Sequence, residues 1–174
     1  MKNNIQYLII IIINILTLTS SNGDEPFNFN VTELQITDNG NTINGFKGGT
    51  VTTDDGLKID ANNFKYDKLL NILNAHGNVK ITDTLNDYII LSEKITYVKE
   101  QEKIFTNGKT QAILESRYNF LSKNVILLKN EMILSSSEKS SLTDGDINLY
   151  NFGKFRYFIN DGILKAKKIE IVSN

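Results

Sequence analysis

An all-β protein built from four repeats of about 30 residues is predicted by three observations. Apolar positions around Ile59 and Phe64 recur downstream at steps of 31, 30 and 30 residues. Apolar and polar residues alternate with a period of two along much of the chain after Pro26, as in strands with one buried face. Outside the N-terminal segment no stretch carries a convincing apolar stripe at helical spacing. A fixed period of this length is typical of one supersecondary unit stacked on copies of itself.

The recurrence covers two consecutive strands of each repeat, so the whole unit repeats rather than one motif. The equivalent positions are Ile59, Ile90, Phe120 and Tyr150; Phe64, Ile95, Val125 and Phe155; Tyr66, Tyr97, Leu127 and Tyr157; and Leu73, Ile104, Leu134 and Leu164. We expect roughly eight to twelve strands and at most one short helix.

The N-terminal segment is a different kind of sequence. Lys2 supplies one positive charge, Tyr7 to Leu18 is mostly apolar, and small residues from Thr19 to Gly23 are spaced for cleavage. An apolar core of this length is near the roughly 7–15 residues of a signal peptide and shorter than the roughly 20 of a membrane-spanning helix. We therefore expect residues 1–23 to be a signal peptide and residues 24–174 an exported domain. The alternative is an uncleaved N-terminal anchor.

Composition excludes several classes of function. The chain has 174 residues and a formal net charge of −1, so its charge does not favour nucleic acid as a partner. It contains no cysteine and one histidine, His76, which rules out a disulfide framework, thiolate metal sites and any histidine cluster within one chain. We predict no cofactor.

The alternation skips one position at an equivalent place in every repeat. Steps of three occur from Ala61 to Phe64, Ser92 to Ile95, Ser122 to Val125 and Phe152 to Phe155. Such a skip predicts a bulge or corner, where a strand bends and keeps its apolar side inward. Turn residues bracket the strands: Asp67-Lys68, Lys99 to Glu102, Lys129-Asn130 and Asn160 to Gly162, with Gly77-Asn78 and Gly108-Lys109 marking further breaks.

The sequence offers few residues that could act in catalysis. His76 is expected in a polar turn, and no Gly-x-Ser-x-Gly elbow accompanies it. Asp60 is predicted to point outward from its strand, and Asp54, Asp55 and Asp67 to be solvated turn residues rather than a glycosidase pair or a calcium loop. The charged run from Lys99 to Lys103 is interpreted as a solvated loop. We predict no catalytic and no metal-binding residues.

The remaining candidate is the inward apolar surface. It is either an ordinary core or the lining of a groove between two sheets that fold over each other, and periodicity alone does not separate the two. The candidate groove residues are Ile59, Ala61, Phe64, Tyr66, Leu73, Val79, Ile81, Ile90, Ile95, Tyr97, Ile104, Phe120, Val125, Leu127 and Leu134.

Two runs of the first repeat carry a resemblance to a known family. Gly56 to Asp67 (GLKIDANNFKYD) and Leu73 to Ile81 (LNAHGNVKI) resemble the repeat of the OstA-like family of lipopolysaccharide transport proteins, which includes LptA and the N-terminal domain of LptD. The second copy, Ile90 to Tyr97 followed by Thr106-Asn107-Gly108, is similar. The third and fourth copies keep the apolar phase but carry Glu138 and Lys168 in place of the glycine. The sequence looks most like the periplasmic N-terminal domain of LptD; a free-standing periplasmic bridge like LptA is the other option.

The resemblance implies an open β-jellyroll that is not an enzyme. Members of the family bind the acyl chains of lipopolysaccharide in an apolar interior. They stack on other Lpt-type β-jellyroll proteins through edge strands and pass the lipid to an outer-membrane barrel component. The resemblance thus predicts a periplasmic transport module, and association with the outer membrane is a further expectation. A structural or adhesive β-solenoid with a closed core is the alternative, and an enzyme acting on polysaccharide ranks last.

Overall fold

The described chain is one antiparallel β structure. The computed structural model describes residues 25–145 and 148–173. The predicted signal peptide, residues 1–23, lies outside these residues, so the boundary at residue 24 stays a prediction. Within them all fifteen strands belong to a single sheet. None of the helical segments described has the length and apolar character needed to cross a membrane.

Five long strands and ten short ones make up this sheet. The long strands are β1 (Phe27–Thr37), β2 (Thr42–Thr53), β5 (Ile72–Asp83), β6 (Tyr88–Val98) and β7 (Lys103–Leu114). The short ones are β3 (Lys58–Ala61), β4 (Asn63–Asp67), β8 (Tyr118–Lys123), β9 (Ile126–Leu128), β10 (Ile133–Ser136), β11 (Ser140–Asp144), β12 (Asn148–Phe152), β13 (Phe155–Phe158), β14 (Ile163–Ala166) and β15 (Glu170–Ser173). Two three-residue 3-10 segments, Asp38–Gly40 and Lys99–Gln101, lie in turns.

The sheet folds over on itself along one line and so forms two layers. Each long strand runs through both layers, whereas the short strands belong to one layer each. The first layer has the order β1-β2-β3-β5-β6-β7-β8-β11-β12-β15. The second layer has the order β1-β2-β4-β5-β6-β7-β9-β10-β13-β14, from the pairings of β4, β9, β10, β13 and β14. This architecture confirms the predicted all-β jellyroll, and it explains why the expected eight to twelve strands are fifteen: the fold line divides half of the strands in two.

Inward-facing residues pair across every strand of each layer. In the first layer the row is Phe29, Val51, Ile59, Ile81, Ile90, Ala112, Phe120, Leu142, Tyr150 and Ile171. In the second layer it is Ile36, Ile43, Tyr66, Leu73, Tyr97, Ile104, Leu127, Leu134, Tyr157 and Leu164. Cross-strand apolar pairs of this kind stabilise a sheet. Residues that recur in the sequence at steps of about 30 therefore lie on every second strand of a row.

The predicted corners are the fold line. A register shift lies between Ser92 and Lys94 of β6, and the other predicted steps coincide with the breaks β3/β4, β8/β9 and β12/β13. A second shift lies between His76 and Val79 of β5. Gly77-Asn78 and Gly108-Lys109 were expected to end strands, and that expectation is wrong: both pairs lie inside long strands, at the fold line. Gly77 has φ +81 there, a conformation equally suited to a turn or a bulge.

Gly49 shows how tightly the fold line is packed. A Cβ at this position would lie 2.5 Å from both the Asn30 carbonyl oxygen and Val31 Cα of the neighbouring β1. The preceding Gly48 has φ +82, yet a Cβ there would meet nothing within 4 Å. Substituting Gly48 therefore tests the effect of the left-handed backbone conformation alone, whereas substituting Gly49 also tests the close approach of β1 to β2.

We expect Gly49→Ala to destabilise the protein more than Gly48→Ala. Gly48→Ala adds only the left-handed strain of a non-glycine residue, about 1 kcal/mol, whereas Gly49→Ala also forces β1 away from β2 and should cost about 3 kcal/mol. Urea unfolding followed by circular dichroism measures both. Equal losses in the two variants would contradict the close approach.

Candidate functional site

The fifteen candidate groove residues all lie in the interior. Each is between 0 and 6% exposed, and all belong to one apolar cluster. Their strands present them from both layers: Ile59 and Phe120 from the first, Tyr66 and Leu134 from the second. The structure thus brings the predicted set together. That it binds lipid stays a prediction.

Aromatic side chains hold the two layers in contact. Near one end Phe27 of the first layer lies edge-on to Tyr66 and Tyr97 of the second, with ring centroids 4.9 and 5.5 Å apart. Near the other end Phe120 stacks on Phe155 at 5.2 Å. Such pairs add to the free energy of burial. An acyl chain could therefore enter the interior only by separating side chains that now touch.

The clefts of the surface lie elsewhere. One of about 440 Å³ opens on the outer face of the second layer beside Ile126, Arg156 and Lys165. Another, of about 590 Å³, lies on the outer face of the first layer and includes Val79 from the candidate set. Each cleft is lined in part by a side chain of the apolar interior, Phe155 in the first and Val79 in the second.

Access to the interior is set by the side opposite the fold line. Two rows of turns face each other there, and we call the gap between them the mouth. The first layer contributes the turns at 54–57, 84–87 and 115–117; the second contributes those at 38–41, 68–71, 99–102, 129–132 and 159–162. Turns of the second row are joined to one another by backbone hydrogen bonds, among them Lys99 N–H to Asn71 O at 3.1 Å and Lys129 N–H to Glu102 O at 2.9 Å.

Ion pairs between side chains close the mouth. The cations come from the second layer: Lys68, Lys99 and Lys129, which we call the lysine lip. The anions come from the first layer and the chain just before β1: Glu25, Asp54 and Asp55, which we call the acidic lip. The pairs are Lys68–Glu25 at 2.5 Å, Lys99–Asp54 at 3.3 Å and Lys129–Asp55 at 2.6 Å.

Lys129 is the centre of this cluster. Its ammonium group lies 3.0 Å from Glu102 Oε2 and donates to the Tyr97 hydroxyl oxygen at 3.1 Å. Tyr97 in turn donates to Glu102, and Lys99 pairs with the other Glu102 oxygen. The Lys129 side chain is 7% exposed and that of Asp55 is 50% exposed. The cation is therefore held inside the mouth, and its partner from the other layer faces water.

These contacts shift the pKa values of the cluster. Partial burial opposes ionisation of Asp55, but hydrogen bonds from Lys129 and Thr53 outweigh it and lower the pKa to about 2. In Glu102 burial is likewise outweighed by hydrogen bonds from Lys99, Tyr97 and Lys129, and the pKa is lowered. Burial, followed by the hydrogen bond to Glu102, raises the pKa of Tyr97. At neutral pH Asp55 and Glu102 are thus carboxylates, and Tyr97 keeps the proton that it donates to Glu102.

Sequence reasoning missed this cluster. Asp54 and Asp55 were expected to be solvated turn residues, and the run from Lys99 to Lys103 a solvated loop. Asp54 and Asp55 do lie in an exposed turn, but the solvated loop is wrong for Lys99 and Glu102, whose side chains are 14 and 17% exposed. The ion pair of Asp55 escaped prediction because its lysine lies 74 residues away and partners at that separation leave no local pattern. One signal was present: Lys68, Lys99 and Lys129 follow one another at the period of the repeat.

The other polar candidates are simpler. His76 lies on the exposed face of β5, paired with Asn63 and Lys94, rather than in a turn. Asp60 is partly buried on β3 and accepts a hydrogen bond from Thr50. Asp67 lies at the end of β4 and accepts from the Leu70 N–H at 3.0 Å. Among the described residues no group of three or more histidine, cysteine or acidic side chains is placed to hold a metal ion.

Fold and site together define a two-layer antiparallel β-jellyroll with an apolar interior, joined along one side and closed by ion pairs along the other. No family model matches the chain, and no curated protein matches it in sequence. Among solved structures it is similar to LptH from Pseudomonas aeruginosa, described as the LptA homologous periplasmic component of the conserved lipopolysaccharide transport device. The two are 13% identical over 89% of this chain and 99% of that chain, with a TM-score of 0.47.

We expect the mouth to weaken at acid pH. A carboxylate whose pKa is depressed in the folded state contributes stability that is present above its ordinary pKa of 3.8 and is lost as the pH falls through the folded value of about 2. Asp55→Asn should therefore lower the free energy of unfolding by on the order of 1 kcal/mol at pH 7, and the difference from wild type should shrink between pH 5 and pH 2.

Urea unfolding at pH 7, 5 and 3 measures this difference. Glu33→Gln serves as the control, because Glu33 pairs with Lys47 at the surface and away from the mouth. A deficit of Asp55→Asn that stays constant with pH would contradict the assignment of the depressed pKa to this ion pair.

Proposed function

We propose that this protein is a non-enzymatic lipopolysaccharide-binding module of a periplasmic bridge that delivers lipopolysaccharide to the outer membrane. One observation carries the proposal: the apolar interior is continuous from one edge strand to the other, and its layers are joined covalently along only one side. Each row of inward residues crosses all ten strands of its layer. An acyl chain lying along such a row would meet apolar side chains along the full width of the sheet.

The interior also reaches solvent at both ends of the rows. At the β1 edge Leu34 and Ile36, on the inward face of the second layer, are 46 and 59% exposed; at the β15 edge Ile171 of the first layer is 63% exposed. A closed core would end in buried or polar residues at these places. Exposed apolar ends instead allow the interior to continue into that of a neighbouring molecule.

Lipid entry is energetically reasonable despite the packed interior. Parting the layers exposes apolar surface, at roughly 25 cal/mol per Å², but an inserted acyl chain covers that surface again and buries its own. The net cost is then the loss of the pairs across the mouth, which are partly exposed and individually weak. Reversible opening of this kind suits a carrier that must release its lipid.

The open edges of the outermost strands indicate how binding partners could attach. Within the described residues β1 pairs only with β2, β14 only with β13, and β15 only with β12. Open strand edges favour addition of another strand. We propose that other Lpt-type β-jellyroll proteins stack on these edges and that one end meets an outer-membrane barrel component. We further propose the N-terminal periplasmic domain of LptD as the most similar member, with a signal peptide in residues 1–23.

Photo-crosslinking in cells tests lipid binding. A photoreactive residue placed at Phe64, Tyr97 or Val125, all at most 3% exposed, should form lipopolysaccharide adducts, and one placed at the exposed Lys65 should not. The matched control is neighbouring Lys65 on the opposite face of β4. Absence of adducts at all three inward positions in a folded, exported protein would favour the structural or adhesive alternative with a closed core.

End-to-end stacking is tested with the exposed apolar ends of the rows. We expect wild type to self-associate with rising concentration in sedimentation velocity, through stacked edges, and Leu34→Lys or Ile36→Lys to abolish this association, because a charge at the edge cannot be buried against the next molecule. Leu85→Lys is the control, since Leu85 is 82% exposed in a turn rather than at an edge. Association that survives both edge variants would place the contact elsewhere.

A further inference from the structure

The lysine lip has the arrangement of a binding surface rather than of a simple closure. Lys68, Lys99 and Lys129 occupy successive turns of one row, 31 and 30 residues apart. They are therefore placed once per repeat along the entrance to the apolar interior, and each faces an anion from across the mouth. A row of cations beside an apolar interior matches a molecule with anionic groups at one end and acyl chains at the other.

The two lips differ in how firmly they are held. The side chains of Lys99 and Lys129 are 14 and 7% exposed. Their ammonium groups lie 5.9 and 5.4 Å from the centroid of the Tyr97 ring, within the range of a cation–π contact. Asp54 and Asp55 are 70 and 50% exposed on a short turn that contains Gly56. The cations are thus fixed in place, and the anions opposite them can leave.

We propose that the lysine lip is a phosphate-binding site for the headgroup of an amphiphile whose acyl chains enter the interior, and that the acidic lip occupies this site when no lipid is bound. On binding, phosphate oxygens replace the carboxylates of Asp54 and Asp55 on Lys99 and Lys129. The turn at 54–57 then moves away and opens the mouth. This inference rests on the proposed lipid-carrying function and adds to it the group that is recognised.

The exchange balances electrostatically. When the turn at 54–57 moves away, Lys99 and Lys129 keep Glu102 as a partner, but each loses the anion across the mouth, and Glu102 alone does not neutralise two largely buried ammonium groups. A phosphate replaces the lost anion with several acceptor oxygens, so a phosphorylated lipid opens the mouth more readily than a lipid without phosphate. Leu69, Leu70 and Leu85, between 61 and 82% exposed in neighbouring turns, give the displaced mouth an apolar rim.

Calorimetric titration with lipid A in a non-ionic detergent tests the site. Lys129→Met should lower the affinity about tenfold or more, because a charge-assisted contact is lost. Asp55→Asn should raise the affinity severalfold, because a competing anion is removed. Lys47→Met, the same charge change at an exposed residue on the fold line, should have no effect. Should Lys129→Met fail to fold, Lys68→Met and Asp55→Asn test the same site.

Titrations with three ligands identify the chemical group that the site recognises. Wild type should bind lipid A at least tenfold more tightly than lipid A from which the phosphates have been removed, and inorganic phosphate alone should not compete at millimolar concentration. Equal affinity for both lipids, or unchanged binding in Lys129→Met, overturns the phosphate site. Competition by inorganic phosphate at lipid-like concentrations overturns the headgroup assignment in favour of a free-anion site.

The same titrations separate this inference from the proposed function. If both lipid forms bind equally and crosslink to Tyr97, the carrier function stands and the phosphate site is wrong. If neither form binds wild type or Asp55→Asn, both are wrong.

Discussion

The structure depends on one geometric constraint, which is that every strand crossing the fold line must bend and still present its apolar side chains to the interior in both layers. In a straight strand alternate residues point to one face, and a bulge or break at the corner accommodates the bend. Where the sequence repeat skips, one position drops out of the alternation, so that Ile59 and Phe64 face the same side although they are five residues apart. In β5 the inward residues Leu73 and Ile81 instead keep the same parity on the two sides of the corner, where Gly77 has φ +81. The common interior, the two rows of turns and the mouth all follow from this constraint.

The sequence specifies the interior well because the interior is periodic. The candidate groove residues were identified from alternation and recurrence alone, and all of them are buried. The wrong predictions of turns arise because the same short sequence fits both a turn and a bulge. Gly77-Asn78 has turn-like composition, yet it serves a bulge inside β5, because glycine permits a positive φ in either setting. Lys168 shows the same point in the fourth repeat, where a non-glycine residue has φ 58 at the equivalent place.

The mouth could not be predicted in the same way, because its partners come from different repeats and different layers. Asp55 and Lys129 are each ordinary turn residues by sequence, and only the crossing of the two layers makes them neighbours. Burial then changes how much each charged side chain contributes to stability. An exposed lysine contributes little to stability, whereas a lysine at 7% exposure needs an anion at all times. Sequence separation, rather than unusual chemistry, concealed the site.

The covalent continuity of the long strands has a consequence for size. Because every repeat contributes two strands to each layer, and neighbouring strands lie about 4.8 Å apart, one repeat lengthens the interior by roughly 10 Å and extends the row of turns by one position. Duplication or loss of a repeat would change the reach of the molecule in fixed increments, with the corner, the lining and the entrance reproduced together. Variation in length therefore requires no redesign of the cross-section, and a chain of such modules could be fitted to gaps of different widths by repeat number alone.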